Sequence, residues 1–308
     1  MSITLRPITG PDELTLFCQL QYQLDKELAG DLADGRRRPE WLWVALCDDR
    51  VVARVGWWTW RDGEDPYILD VFDFDDSPDS VEVALKLFEA ATAAVFPAGA
   101  TLPQYIRFTP PDWHDDPAAG RVVTDRITAL ERTGARMLVE RLRLEWRPSA
   151  GVPEVGNRLS FRPVADRAEL VGLMTDVLDG TLDAHSRAEL TRMSATEQAN
   201  AQYDEELLGY SSPREWWRVG VVGDGTPVGF VIPARNSYNP IIAYIGVVPA
   251  HRGNGYIDEL LAEGTRVLAA QDVPRIRAST DVGNVPMAKA FARAGYEVFE
   301  RQVDMTWE

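Results

Sequence analysis

The chain of 308 residues is long enough for two cores, and 45% hydrophobic with 26% charged residues is the composition of a globular protein, not a disordered or fibrous one. Its formal net charge of -16 argues against a nucleic-acid partner, which needs clustered Lys and Arg, and favours cationic, amine-bearing ligands by steering. No apolar run approaches bilayer-spanning length, no leader precedes Ile3-Thr4-Leu5-Arg6-Pro7, and two cysteines, Cys18 and Cys47, cannot build a disulfide framework, so a reduced cytoplasmic protein without membrane contact is expected.

Taken in order, residues 3 to 14 read as a first strand leading into a helix, and residues 159 to 170 repeat them. Leu5-Arg6-Pro7 answers Phe161-Arg162-Pro163, and Glu13-Leu14 answers Glu169-Leu170. The basic run Arg36-Arg37-Arg38-Pro39, bounded by acids, reads as a solvated loop. Glu40 to Leu46 answers Glu215 to Val221, each followed by an Asp-bearing turn and another strand. Gly134 to Trp146 answers Gly295 to Trp307, and both spans end on a strand closing at Trp. Self-similarity in three places and in the same order indicates a duplicated fold. The Pro/Gly-rich stretch after Arg147 separates the copies, which gives domains 1–147 and 158–308 around a linker 148–157. Each copy reads as strand, helices, antiparallel strands, a central strand, helix, strand, helix and closing strand. That order predicts an α+β fold, a mixed and mostly antiparallel sheet flanked by helices.

The second copy carries a longer insert, from Leu178 to Tyr210, with Asp183, His185, Asp204, Glu205, Glu206 and Tyr210 on predicted helices. Downstream, Ile241 to Val248 is a β-branched run stopped by Pro249, and Ile257, Leu260, Leu261, Gly264, Val267 and Leu268 lay an apolar stripe along a helix. Between them lies Arg252-Gly253-Asn254-Gly255. Two glycines remove the Cβ atoms that keep a phosphate from backbone N–H groups, the helix start leaves such groups unpaired, and Arg252 adds positive charge. No GxxxxGK string is present, and Asp258 stands against a dinucleotide fingerprint. A short strand at 275–280 follows, then a helix at 284–296 with Pro286 in its first turn and Gly295 at its end.

Arg252-x-x-Gly255 after a strand, with Asn284, Gly295 and Tyr296 downstream, resembles the GNAT superfamily of acyl-CoA N-acyltransferases, in tandem arrangement. Ile257 departs from the Gly or Ala of the family loop, and Phe291 stands where the family has Tyr. The resemblance implies acetyl-CoA as acyl donor, a small-molecule amine as acceptor, direct attack in a ternary complex and no metal. It assigns cofactor contacts to Val247, Val248, Arg252, Gly253, Asn254, Gly255, Tyr256, Ile257, Asn284 and Phe291, with an N–H near Val247 or Val248 on the acetyl oxygen. Tyr244 or Tyr256 then stands in for the missing tyrosine acid, and Asp281, Glu205 or Glu206 are base candidates. In the first copy Asp75 to Ser80 replaces the loop with acids and a proline, so that copy is expected to bind no CoA and to shape the second. A non-catalytic acyl-CoA-binding protein is the alternative, and oligomeric state stays open.

Overall fold

The computed structural model describes residues 3–60 and 62–308. The first copy runs β1 (Ile3–Pro7), α1 (Leu14–Phe17), α2 (Leu28–Ala33), β2 (Leu42–Cys47), β3 (Arg50–Trp58), β4 (Ile68–Phe74), α3 (Ser80–Val95), β5 (Tyr105–Thr109), α4 (Pro117–Glu131) and β6 (Arg136–Trp146). The second runs β7 (Ser160–Pro163), α5 (Arg167–Leu178), α6 (Ala184–Glu189), α7 (Ala195–Ala201), β8 (Arg218–Val221), β9 (Pro227–Arg235), β10 (Pro240–Val247), α8 (Tyr256–Ala269), β11 (Ile276–Asp281), α9 (Val285–Arg293) and β12 (Glu297–Thr306). The α+β reading and the element order of both copies are as the sequence implies, including helices within the insert.

The repeat extends to side-chain chemistry. Arg6 donates to both carboxylate oxygens of Glu13 at 2.8 and 2.7 Å, and the Thr9 N–H donates to Glu13 at 2.7 Å. In the second copy Arg162 grips both oxygens of Glu169, and the Ala165 N–H donates at 2.8 Å. Each pair ties the end of a first strand to the start of the next helix. The Arg6 bond, reinforced by the Thr9 N–H, holds the Glu13 carboxyl down at about 2, against an ordinary 4.5. A depressed carboxylate stabilises the fold above its unfolded value and stops doing so as pH falls through its folded value. The stability deficit of Glu13→Gln, measured by denaturant unfolding, should therefore be present near neutrality, shrink below about pH 4.5 and vanish near about pH 2.

The compact units differ from the sequence copies. One comprises residues 1–139 with 302–308, the other residues 140–301. The expected boundaries at 147 and 158 mark where the repeat restarts, not where the cores divide. In the first unit the strand order is β1-β2-β3-β4-β5 and then the end of β12. Val303 and Met305 are fully buried there with Phe72, Phe88 and Tyr105, and Trp307 stacks on Phe88. In the second the order is β6-β11-β10-β9-β8-β7, and β6 pairs antiparallel with β11 from Arg141↔Asp281 to Trp146↔Ile276. Leu144 and Trp146 are buried there with residues of α8 and α9. Each copy thus closes the unit built mainly by the other.

The basic run is also not a solvated loop throughout. Arg37 is 2% exposed, and its guanidinium donates to Asp31 at 3.1 Å and to Asp70 at 2.8 and 2.5 Å. Two buried carboxylates hold it, and burial of all three groups is tolerable because each charge has an opposite partner.

Candidate functional site

The site in the second unit begins with how β10 is paired. It follows β9 antiparallel from Pro240↔Arg235 to Val247↔Gly229, with a bulge between Ile242 and Tyr244. Its pairing with β11 is recorded only at Ile241↔Arg277, so the two strands diverge beyond that point. The Val248 N–H donates to the Val228 carbonyl at 3.0 Å. Backbone direction alternates along an antiparallel ladder, so Val247 turns its N–H the other way, into the gap left by β11. Of the two expected donors, Val247 is available and Val248 is not, because β9 already holds it.

After Val248 the chain makes a short turn at Pro249–His251 and then enters the glycine loop. Gly253 has φ 79° and Gly255 φ 74°, left-handed values that a side chain resists. Four of the carbonyls around the loop are covered by side-chain donors. Asn254 Nδ2 donates to the His251 carbonyl at 3.1 Å and the Arg252 carbonyl at 3.3 Å. Arg158 donates to the Asn254 carbonyl at 2.6 Å and the Gly255 carbonyl at 3.2 Å. The loop's amides are not covered. Among the described residues, the N–H groups of Gly253, Asn254, Gly255, Tyr256 and Ile257 find no protein acceptor. Five such donors, at the positive end of α8, make an anion cradle. The acids of the first helical turn do not oppose it unaided, since Asp258 bonds Arg293 at 2.6 Å and Glu259 bonds Arg158 at 2.6 Å. The Arg158 guanidinium also lies 4.9 Å from the Tyr256 ring centre.

Arg252 is placed differently from the expectation of a free charge. Its Nε donates to the Val247 carbonyl at 3.1 Å, Nη1 to Asp179 at 2.6 Å and Gly180 at 3.5 Å, and Nη2 to Val177 at 2.8 Å. The guanidinium therefore spans from the end of β10 to the carbonyls that α5 leaves unpaired at its C-terminus.

Other expected residues separate into those that meet at the gap and those that do not. Tyr244 packs edge-on against Phe230, 5.0 Å between centroids, and among the described residues nothing bonds its hydroxyl. Burial, with the charges of Asp183 and Glu206, pushes its phenol well above the usual range, so it holds its proton. Glu206 accepts from Tyr210 at 2.5 Å and from Gln202 at 3.3 Å on the irregular turn after α7. Its neighbour Glu205 is exposed and bonds none of the described residues.

Asp281 is buried, accepts from the Ala184 N–H at 2.7 Å and has Arg141 Nε 3.1 Å away. Burial first, then the nearby Asp183 charge, raises its pKa. Its Oδ2 anchors the start of α6, while its Oδ1, beside the Arg141 guanidinium, accepts no hydrogen bond. Asn284 caps α9 through the Met287 N–H at 3.4 Å. Phe291 is 2% exposed and packs at 5.1 Å on Tyr296, whose own hydroxyl meets Thr265 at 2.9 Å, so Phe291 belongs to the core and not to a cofactor surface.

Sequence reading missed Arg158 and Arg293. Neither lies in the loop, and only the fold brings them to it.

The corresponding corner of the first unit is shut. The Asp75 N–H bonds the Val52 carbonyl at 3.0 Å, as Val248 does Val228, so Asp75 matches Val248 and not Ala250. Residues 76–79 then replace 249–255 before the helix, a turn three residues shorter. Asp75 caps the Ser77 N–H at 3.1 Å with its own carboxylate. Here too β4 and β5 are paired only at Leu69↔Tyr105. The carbonyls facing that gap are taken by Arg107, 3.5 Å from Phe72 O, and Arg126, 2.8 Å from Phe74 O. Both arginines surround Asp73 with Arg54, at 3.0, 3.7 and 3.0 Å for Arg107, Arg126 and Arg54. Burial works to raise Asp73, but the three guanidiniums outweigh it and keep the carboxylate ionised.

Comparison with known proteins agrees with this geometry. The sequence profile of the acetyltransferase (GNAT) family matches residues 182–296. A search of curated proteins finds no match. Among solved structures, a GCN5-related N-acetyltransferase from Sphaerobacter thermophilus is similar at 16% identity and a TM-score of 0.58, over 98% of this chain and 94% of that one. A tandem GNAT protein from the clavulanic acid biosynthesis pathway is similar at 16% identity and a TM-score of 0.53, over 99% and 98% of the two chains. A GCN5-related N-acetyltransferase from Kribbella flavida gives 15% identity and 0.51 over 91% and 94%. At such identities the structures speak for the fold alone, while the profile reaches the residues of the loop. No helix among the described residues is long and apolar enough to cross a membrane. Residues 182–296, which carry the amide cradle, thus match the acetyltransferase (GNAT) family profile, and the fold over nearly the whole length is similar to that of GNAT proteins, a tandem one among them.

Proposed function

We propose that the protein transfers an acetyl group from acetyl-CoA to the amine of a small-molecule acceptor, and that the cofactor binds the unit made of residues 140–301. The five unpaired amides at 253–257, next to the Val247 N–H that faces the strand gap, carry this reading. The pyrophosphate takes the cradle, the acyl chain runs into the gap, and the Val247 N–H supports the negative charge that develops on the thioester oxygen. The acceptor first loses its proton to water, the neutral nitrogen attacks the thioester carbon directly, the C–S bond breaks as the nitrogen passes its remaining extra proton to water, and the departing thiolate takes a proton. The charges of Asp183 and Glu206 reach Tyr244, which supports the approach of a cationic amine there. Tyr244, kept protonated by its surroundings, is the proton donor to the thiolate in place of the tyrosine absent at Phe291.

Thiol release from acetyl-CoA, measured against a panel of small amines, tests the reaction. Release that requires both protein and amine supports it; acetyl-CoA binding with no amine-dependent release points instead to an acyl-CoA-binding protein. With an acceptor in hand, Tyr244→Phe is expected to lower kcat by about 100-fold while leaving the KM for acetyl-CoA unchanged, the size expected for a positioned general acid. An unchanged kcat removes Tyr244 from the mechanism.

A further inference from the structure

The guanidinium of Arg252 has its donors pointed at protein, with bonds to the carbonyls of Val177, Asp179 and Val247 at 2.8, 2.6 and 3.1 Å. Two of those carbonyls end α5, and the third ends β10. The same contact region is packed tightly, since a Cβ at Gly246 would meet Val177 at 3.0 Å. Beyond α5 the chain runs through Gly180, with φ 62°, to Asp183, which caps α6 by accepting from the Ser186 N–H at 2.7 Å. Asp281 then holds the Ala184 N–H, and Arg141 lies 3.1 Å from Asp281 and 3.7 Å from Asp183. A continuous set of polar contacts thus leads from the phosphate loop, through Arg252, to the segment 179–184 that carries Asp183 toward Tyr244.

We propose that Arg252 is a positioning residue that couples the phosphate loop to the acceptor-side segment 179–184, instead of neutralising a phosphate itself. This rests on the acyl-CoA reading of the loop. The physical reason is the shape of the group. A planar fork can hold carbonyls from α5 and β10 at once, whereas a phosphate ligand would have to give those bonds up and leave helix-terminal carbonyls unpaired. The cradle supplies the anion's donors from its amides, so the side chain is released for this bracing. Lysine, which keeps the charge but lacks the fork, separates the two roles.

Backbone hydrogen exchange followed by mass spectrometry, with CoA as the probe, reads the coupling. In the wild type, CoA is expected to slow exchange at 253–257 and also at 179–184. In Arg252→Lys, exchange at 179–184 is expected to be at least about tenfold faster without ligand, while β9 and α8 exchange as before, which separates a local brace from a general loss of fold. CoA should still protect 253–257 in that variant, with an affinity changed by no more than about threefold, yet no longer protect 179–184. The proposal is overturned if wild-type 179–184 ignores CoA while 253–257 responds. It is equally overturned if Arg252→Lys behaves as wild type and Arg252→Gln alone abolishes binding, the signature of a phosphate ligand. Should the wild type bind no CoA, the acyl-CoA reading fails, and the ligand-free comparison of Arg252→Lys with wild type still decides the bracing role.

Discussion

A chain cut within residues 148–157 is expected to give two fragments that do not fold separately but regain structure when mixed. The fragment ending before the cut lacks residues 302–308, which close the unit of residues 1–139. Val303 and Met305 have no accessible surface there, and burying a side chain of that size is worth roughly 1.5–3 kcal/mol. Trp307 adds a stack on Phe88 and a 2.9 Å bond to Thr133, and Arg136 donates to the Glu308 carbonyl at 2.6 Å. A loss of this size, with a sheet neighbour of β5 gone, consumes most of the roughly 5–15 kcal/mol that holds a domain together. The other fragment loses the six-residue ladder of β6 with β11 and the buried Leu144 and Trp146. Circular dichroism melts of each fragment and of the mixture are the measurement. A cooperative melt from residues 148–308 alone, with β12 taking the place of β6, would show that the exchange is optional and sink the expectation.

The second large effect belongs to the loop. Gly255→Val is expected to weaken CoA binding by at least about 30-fold, roughly 2 kcal/mol, read by calorimetry. Gly255 holds φ 74° at the start of α8, and its N–H is one of the five unpaired donors. A β-branched residue at that angle costs on the order of 1–3 kcal/mol of strain, and relief of that strain turns the amides away from a common focus. The control is Ser77→Val, at the closed corner of the first unit, where Asp75 already occupies the Ser77 N–H and no residue of 76–79 among those described has positive φ. CoA affinity should be untouched there. Equal losses at both positions would remove the asymmetry between the two corners.

The loop was legible in the sequence because glycine spacing, a preceding β-branched run and an amphipathic helix are all local signals, and the stripe of Leu260, Leu261, Gly264, Val267 and Leu268 is buried as its spacing requires. Duplication was legible for the same reason, down to the paired Arg6–Glu13 and Arg162–Glu169 bonds. The exchange of closing strands was not. β6 and β12 have equivalent patterns and equivalent terminal tryptophans, so either would satisfy either sheet, and only long-range packing selects. Arg37 misled because a run of three arginines reads as solvated until the two aspartates that hold it are brought close by the fold. Asp281 was recognised as an acid at a strand end, but its acceptance of the Ala184 N–H is a contact across 97 positions of sequence. Arg252 shows its charge in the sequence but not the carbonyls of Val177, Asp179 and Val247 at which it points, because these come from elements the fold brings together.

Asp73 and its three guanidiniums bear on what becomes of a gap between strands when a fold is doubled. A cleft that must admit a guest has to remain an absence in the protein, stabilised only while something visits it. Between β4 and β5 that absence has become permanent interior, built from the chain's own arginines. The residues there answer to the demands of solidity, because each buried charge has been matched by one of opposite sign.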